Sequence, residues 1–239
     1  MTDLKVKEYF NKAENTYDYN CALQIRVGLK LIDTLQKYNL KPKSIIDLGC
    51  GTGIVTGYLF DRYNANENFA LDIADRLLAK ARARLINTNF IQGDFDSDLE
   101  NDELDLIFSN MALQWSSNLY STLSNIFHHM NACSILAFSI PVDGTFDELP
   151  ENSKISFRDF EEIKSLLIIN GFNILEASSE RITQTYASLI QALKSIKGLG
   201  ANYCNANNNF SSLYKIHKAN LGIFNLTYNM GYFLAKKAA

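Results

Sequence analysis

The sequence predicts an α/β fold, a mostly parallel seven-stranded sheet with helices on both faces. Short apolar and β-branched runs alternate along the chain with amphipathic stretches of helical period, which is typical of strands joined by crossover helices. Two of these runs, 104–109 and 134–140, are continuously apolar, as expected of parallel strands buried on both faces. The length of 239 residues is enough for one domain with a full core.

The elements follow in chain order. Strands are predicted at 44–48, 68–72, 89–92, 104–109, 134–140, 172–177 and 226–234. Helices are predicted at 21–38, 53–63, 74–86, 118–130, 158–170 and 186–197. Residues 186–219 interrupt the alternation with an asparagine-rich run at 202–209, and asparagine clusters favour turns. We therefore expect a single domain divided into an N-terminal helical cap (1–40), a core (41–180), a lid insertion (181–225) and the last strand (226–239).

The composition argues against several classes of protein. The N-terminal residues lack the apolar segment of a signal peptide, and no apolar stretch reaches the roughly 18 residues that a membrane span needs. Four cysteines and three histidines are scattered without the spacing of metal ligands. We expect a cytoplasmic protein with reduced thiols, without a metal site and without a membrane partner.

Charge is unevenly distributed along the chain. The net charge is −3, but residues 181–239 carry seven basic side chains and no carboxylate. This imbalance predicts a face that attracts an acidic partner, although a solvated surface would give the same pattern. The basic residues are too sparse for a nucleic-acid-binding stripe.

The strongest chemical signal is the segment SIIDLGCGTGIVTGYLF at 44–60. A strand enters a glycine-rich turn, and a helix follows at once. Gly49, Gly51 and Gly53 lack side chains, so the backbone can turn tightly and approach a ligand closely. By itself the loop indicates an adenosine-containing cofactor, because nicotinamide and flavin enzymes use related loops.

Three aspartates favour S-adenosylmethionine over a dinucleotide. Asp47 stands beside the loop, where a pyrophosphate would need a free helix N-terminus but a cationic ligand is favoured by a carboxylate. Asp72, at the end of the second strand, can accept from ribose hydroxyls, although an acid at this position would equally serve NAD. Asp94 and Phe95 follow the third strand and can contact the adenine. Each aspartate alone could be a turn or cap residue.

A dehydrogenase is the rival interpretation of the same loop. Tyr214 and Lys218 have the spacing of a short-chain dehydrogenase pair. They follow the asparagine-rich run, far beyond the fourth strand, where the helix that carries such a pair should lie. We interpret the spacing as accidental.

The motifs DLGCGTG, LDI and GDF (47–53, 71–73 and 93–95) resemble those of the Rossmann-like class I S-adenosylmethionine-dependent methyltransferases. SNMALQW (109–115) closely resembles the segment after the fourth strand of the malonyl-acyl-carrier-protein O-methyltransferases, which begin pimelate synthesis for biotin. Further similar segments are YFNKAENTYDYNCALQ (9–24), LAFSIPVDGTFDEL (136–149), LKSIKGLGAN (193–202) and LTYNM (226–230). The chain departs from that family in lacking a proline-glycine-glycine turn before the fifth strand and in a short stretch between residues 149 and 157.

The resemblance implies methylation of the free carboxylate of a malonyl thioester on acyl carrier protein, with S-adenosylmethionine as cofactor. The carboxylate is ionised at neutral pH, so no general base is expected. Gln114 and Trp115 would position the reactants. The expected cofactor-binding residues are Tyr17, Gln24, Asp47, Gly49, Gly51, Gly53, Asp72, Ile73, Asp94, Phe95, Ser109, Asn110 and Met111.

The substrate carboxylate needs a cation or several donors. Lys197 is the first candidate, Lys194 and Arg26 are alternatives, and Trp115 is expected to line the substrate side. Each lysine could instead be a surface residue. Together with Lys215 and Lys218, the two lysines Lys194 and Lys197 are expected to form a docking face for the acidic carrier protein.

Two other functions remain open from the sequence. One is O-methylation of another small carboxylic acid such as aconitate, which would not need a docking face. The other is a repurposed relative that assembles a respiratory complex without methylation. The intact glycine loop and ligand aspartates favour retained cofactor binding.

Overall fold

The structure is a computed structural model that describes residues 3–99, 103–150, 155–201 and 222–237. Its seven strands form one sheet in the order β3-β2-β1-β4-β5-β7-β6. The strands are β1 (Ser44–Leu48), β2 (Glu67–Asp72), β3 (Asn89–Gln92), β4 (Leu104–Asn110), β5 (Met130–Pro141), β6 (Phe172–Tyr186) and β7 (Phe224–Lys237). Only β7 runs antiparallel to its neighbours, β5 and β6. The predicted mostly parallel, seven-stranded sheet is therefore confirmed.

Helices cover both faces of the sheet. They are α1 (Asp3–Lys12), α2 (Tyr17–Asn20), α3 (Ala22–Leu35), α4 (Ile54–Tyr63), α5 (Asp75–Arg84), α6 (Leu119–His129), α7 (Phe160–Ile169) and α8 (Leu189–Gly198). Short 3₁₀ turns lie at Gln36–Tyr38 and Leu113–Trp115. The side chains of Asn118, Asp159 and Ser188 cap α6, α7 and α8 by accepting backbone N–H groups of the first turn, which fixes where these helices begin.

Alternate residues of each central strand pack into cores on opposite faces of the sheet. Ile45 of β1 joins the core formed with α3, α4 and α8, whereas its neighbour Ile46 joins the core formed with α6 and α7. Both residues are fully buried. A strand buried on both faces reads as a continuous apolar run, which is why these elements could be found from sequence.

Three strands are longer than predicted by several residues: β7, predicted at 226–234, spans Phe224–Lys237, and β6 and β5 are extended as well. β6 continues to Tyr186 because it pairs with β7 along its whole length, from Phe172 opposite Lys237 to Tyr186 opposite Phe224. It is an edge strand with many exposed side chains, so the apolar signal ends early. Residues 181–186, expected in the lid insertion, therefore belong to β6.

β5 begins at Met130, directly after α6, rather than at residue 134. The extra residues are accommodated by an irregularity in the pairing of β5 with β4 and by a left-handed backbone at Cys133 (φ 67°). The asparagine-rich run 202–209 lies outside the described residues. Among the described residues, no helix is long and apolar enough to cross a membrane.

Candidate active site

A cavity opens at the carboxyl ends of β1, β2, β3 and β4. This edge is where parallel α/β sheets usually bind ligands, since loops and helix N-termini converge there. We call it the first cavity. It is lined by Val6, Phe10, Tyr17, Gly49, Gly51, Asp72, Ile73, Leu77, Asp94, Phe95, Asn110, Met111, Ala112 and Trp115.

The glycine loop forms the floor of the first cavity through two of its three glycines. Gly49 has φ of 80°, and a Cβ there would lie 2.3 Å from Cβ of Ala112. Gly51 has φ of 56°, and a Cβ there would meet the Tyr17 hydroxyl at 3.4 Å. Gly53 instead precedes α4 and packs closely against Ala81 of α5, so it serves helix packing rather than the cavity surface.

Asp72 places a nearly buried carboxylate at the end of β2. Its Oδ2 accepts the Gly51 N–H at 2.7 Å, and its Oδ1 accepts the Ala74 N–H at 2.8 Å. Burial nevertheless raises the pKa of Asp72 to about 6, against the opposing effect of these hydrogen bonds. Each oxygen keeps a second lone pair, so the carboxylate can still accept from a ligand hydroxyl.

Asp94 and Phe95 line the same cavity from the turn after β3. The turn is held by two side-chain bonds: the Asp94 N–H donates to Oδ2 of Asp98 at 2.7 Å, and Oδ1 of Asp94 accepts the Asp96 N–H at 2.9 Å. Both residues therefore follow β3 and line the cavity, and their contact with an adenine stays a prediction.

Asp47 lies beneath the loop and does not line the cavity. It is 2% exposed, and its Oδ2 accepts the Thr56 hydroxyl at 2.7 Å, which ties β1 to α4. Its Oδ1 has no hydrogen-bond partner among the described residues. Burial raises the pKa of Asp47 to about 7, and the nearby carboxylate of Asp72 adds to the shift. Any effect of Asp47 on a ligand is therefore indirect, through the position of the glycine loop or through the charge of its carboxylate.

The segment after β4 closes one side of the cavity. Met111 has a left-handed backbone (φ 53°), and its N–H donates to the Ser139 carbonyl at 3.0 Å. Asn110 donates from Nδ2 to the Gln24 carbonyl at 2.9 Å, which ties the N-terminal cap to the sheet. Ser109 is fully buried and donates to the Leu48 carbonyl at 2.8 Å, so its contacts are internal.

A second cavity lies against the first. The two share Phe10, Tyr17, Met111 and Trp115, and the rings of Phe10 and Trp115 pack edge to face at 5.6 Å. The other residues of the second cavity are Gln24, Gln114, Pro141, Thr145, Phe146, Ile155, Phe157, Ile196, Leu199, Ala201 and Tyr228. Most of this surface is apolar. No Lys, Arg or His occurs among the described residues that line either cavity.

Comparisons with known proteins decide the family. Residues 45–132 match the methyltransferase domain family. The chain is 36% identical to malonyl-[acyl-carrier protein] O-methyltransferase 2 of Coxiella burnetii, over 98% of this chain and 96% of that protein. The chain belongs to the malonyl-acyl-carrier-protein O-methyltransferase family. A further family member, from a Methylovorus species, is 29% identical over 82% of this chain and 73% of its own.

Solved methyltransferases share the fold. One from Haloferax volcanii, in complex with the Trm112 activator, superposes with a TM-score of 0.67 over 98% of both chains at 16% identity. The plantazolicin methyltransferase, solved with S-adenosylhomocysteine, gives 0.57 over 98% of this chain and 97% of that one. The chain is thus a Rossmann-like, S-adenosylmethionine-dependent methyltransferase.

The first cavity fits the family's methyl donor. Bare backbone at Gly49 and Gly51 admits a close ligand, Asp72 offers acceptors for hydroxyl groups, and Phe95 offers an aromatic surface. The carboxylates of Asp72 and Asp94 line this cavity, which suits a ligand with a sulfonium and an ammonium group. Gln24, expected at the cofactor, instead lines the second cavity, as does Gln114.

The three cations predicted for the substrate carboxylate do not line either cavity. Arg26 pairs with Glu180 of β6 at 2.7 Å on the outer surface. Lys194 and Lys197 are exposed on α8. The geometry therefore does not support a direct contact of these side chains with the substrate.

Sequence reasoning did not identify several lining residues. Phe10, Phe146 and Tyr228 lie within segments that resemble the family, but nothing in the sequence distinguishes them as site residues, and Phe157 lies outside those segments. Aromatic residues equally indicate core packing.

Proposed function

We propose that the protein transfers the methyl group of S-adenosylmethionine to the free carboxylate of a malonyl thioester carried by acyl carrier protein. The observation that carries the proposal is the near full-length similarity to a relative named for this reaction. The two adjacent cavities share Tyr17, Met111 and Trp115. This arrangement supports the proposal, because the methyl donor and its acceptor must be bound side by side.

The site suits a nucleophile that needs no base. S-adenosylmethionine supplies an electrophilic methyl group on a sulfonium. A carboxylate titrates near pH 4, so it is already ionised at neutral pH and can attack without losing a proton. The described lining residues include no histidine, cysteine or lysine that could serve as a base. Burial raises the pKa of Tyr17, so its phenol stays protonated at neutral pH and can donate or accept a hydrogen bond but does not act as a base.

The chain's own contribution is positioning and exclusion of water. Trp115 and Phe10 form a rigid aromatic pair between the cavities. The apolar second cavity lacks a lining cation among the described residues, so a bound carboxylate is not over-stabilised in its ground state. The ester product is uncharged, which lets enzymes of chain elongation accept it as an ordinary acyl group.

The solvent face of α8 is the proposed carrier contact. Ile190, Lys194 and Lys197 have the spacing of one helical face, and all three are exposed. We call them the α8 docking face. Ile196 and Leu199, at the other side of this segment, line the second cavity. A carrier bound here would present its arm next to the cavity, and carrier proteins are acidic. Lys215 and Lys218, predicted for the same face, lie outside the described residues.

The direct test is transfer of labelled methyl from S-adenosylmethionine to malonyl-acyl carrier protein, with malonyl-coenzyme A and aconitate in parallel. We expect the carrier substrate to be labelled with the highest kcat/KM. Label on aconitate alone would favour the small-acid reaction, and label on none would remove the proposed function while leaving the fold assignment intact.

A further inference from the structure

Gln114 has an amide whose orientation is fixed by one hydrogen bond. Its Nε2 donates to the Met111 carbonyl at 2.6 Å, within the turn that follows β4. Only the nitrogen end of an amide can donate to a carbonyl, so the oxygen must point the other way. Oε1 is buried and has no hydrogen-bond partner among the described residues.

This oxygen belongs to a residue that lines the second cavity. A buried acceptor without a partner is costly, and folded proteins satisfy nearly all such atoms. Oε1 can only accept, so its partner must be a donor. A malonyl carboxylate at neutral pH is itself only an acceptor and would be repelled. The donor must come from another part of the ligand.

The thioester arm of an acyl carrier offers such donors, since it contains secondary amide N–H groups separated by methylenes. We propose, on the basis of the proposed function, that Gln114 Oε1 accepts a hydrogen bond from an amide N–H of this arm. Gln114 then determines specificity for carrier-bound over free carboxylic acids. The apolar walls, including Phe146, Phe157 and Leu199, suit the methylenes of the arm.

Gln24 supports the same interpretation. Its Oε1 is a second buried acceptor without a partner among the described residues, and it lines the same cavity. No described hydrogen bond fixes this amide, so either end can turn towards a ligand. Two acceptor-capable amides on one cavity match an arm with more than one amide better than they match a small free acid.

The test compares two malonyl thioesters that differ in one atom group. The first is malonyl-N-acetylcysteamine, which has an amide N–H. The second has an ester oxygen in place of that N–H. Both are measured as substrates and as competitive inhibitors of malonyl-acyl carrier protein methylation. The proteins compared are wild type, Gln114→Met and the control Gln36→Met, whose exposed side chain donates a hydrogen bond to Asp33 on the surface. S-adenosylhomocysteine affinity is measured by calorimetry for each.

Wild type and Gln36→Met should prefer the amide thioester by about three- to tenfold in kcat/KM or in inhibition constant, the range of one neutral hydrogen bond. Gln114→Met should lose that preference by weakening only the amide compound, with S-adenosylhomocysteine affinity unchanged within about twofold.

Equal weakening of both compounds would show a merely structural role and overturn the proposal. Lost S-adenosylhomocysteine affinity with the preference retained would assign Oε1 to the cofactor's ammonium and would also overturn it. Equal use of both compounds by the wild type would also overturn the proposal about Gln114, while leaving the proposed function intact. The proposed function itself fails only if malonyl-acyl carrier protein is not methylated.

Discussion

The two cavities are built in different ways. The first is formed mainly by short motifs at consecutive strand ends, and its polar lining residues include Asp72, Asp94, Asn110 and Tyr17. The second gathers single side chains from distant parts of the chain, such as Phe10, Phe146 and Tyr228, and is mostly apolar. The lining of the first cavity is therefore set mainly by local sequence, whereas the lining of the second is assembled by the tertiary fold.

The largest effect is expected from filling the floor of the first cavity. Gly49→Ala places a Cβ 2.3 Å from Ala112 at a left-handed φ of 80°. We expect a loss of about 2–4 kcal/mol in the free energy of unfolding, measured by urea denaturation, and loss of S-adenosylhomocysteine binding.

Gly57→Ala is the matched control. Gly57 lies inside α4, where a Cβ would approach only a Leu85 side-chain methyl at 3.3 Å. Alanine favours the helix there, so the stability change should stay within about 1 kcal/mol. A Gly49 variant as stable as this control, with normal binding, would contradict the close-approach role of the loop.

An effect of intermediate size is expected on binding of the carrier substrate alone. Reversing Lys194 and Lys197 to Glu on the α8 docking face should raise KM for malonyl-acyl carrier protein by about three- to tenfold at low salt, because electrostatic attraction of the carrier is lost. The KM for malonyl-N-acetylcysteamine should not change. Added salt should reduce the difference.

Lys41→Glu is the control for charge. Lys41 is exposed just before β1, at the opposite edge of the sheet. It should leave the carrier KM unchanged at low salt. If both reversals had the same effect, overall charge rather than a docking face would account for it.

The smallest effect is a pH dependence that arises from Asp72 in the first cavity and from Asp47 beneath the glycine loop. Burial raises the pKa of Asp72 to about 6 and that of Asp47 to about 7. Their unfolded values are about 4, so the folded state holds extra protons between these limits, and stability of the ligand-free protein should fall as pH rises from 4 to 7. A cationic ligand favours the ionised forms.

Affinity for S-adenosylmethionine should therefore rise a few-fold from pH 5.5 to 7.5, and more than affinity for the uncharged sulfur of S-adenosylhomocysteine, as measured by calorimetry. The Asp47→Asn variant can still accept the hydrogen bond from Thr56. It should flatten the rise in S-adenosylmethionine affinity at the upper end of this pH range. The same slope for both ligands in wild type would show that the buried carboxylates do not sense the sulfonium.

Local sequence was enough for the first cavity because its residues follow strand ends in order. Asp72, Asp94 and Met111 each stand directly after, or at the end of, a strand that could be recognised from its apolar run. Parallel strands bring those ends to one edge, so proximity follows from topology. Asp47 shows the limit of this reasoning, because sequence placed it beside the loop but not beneath it.

Arg26 and Gln24 show what local sequence could not decide. Both lie on α3, two residues apart, yet Arg26 faces Glu180 on the outer surface and Gln24 faces the second cavity. Which side of the helix meets the cavity depends on how α3 packs on the sheet. Likewise, the full length of β6 depends on its pairing with β7, which no local pattern of an exposed edge strand reveals.

By itself, the sequence determined the sheet, the glycine loop, the order of the aspartates at the strand ends and, through resemblance, the family. Each of these features depends on residues that are close together along the chain. Only the tertiary structure decided that the second cavity is mostly apolar, that the expected cations do not line it, and that the amide nitrogen of Gln114 is held by the Met111 carbonyl. These features are set by packing between elements far apart in sequence, and side-chain direction at such contacts has no local signature.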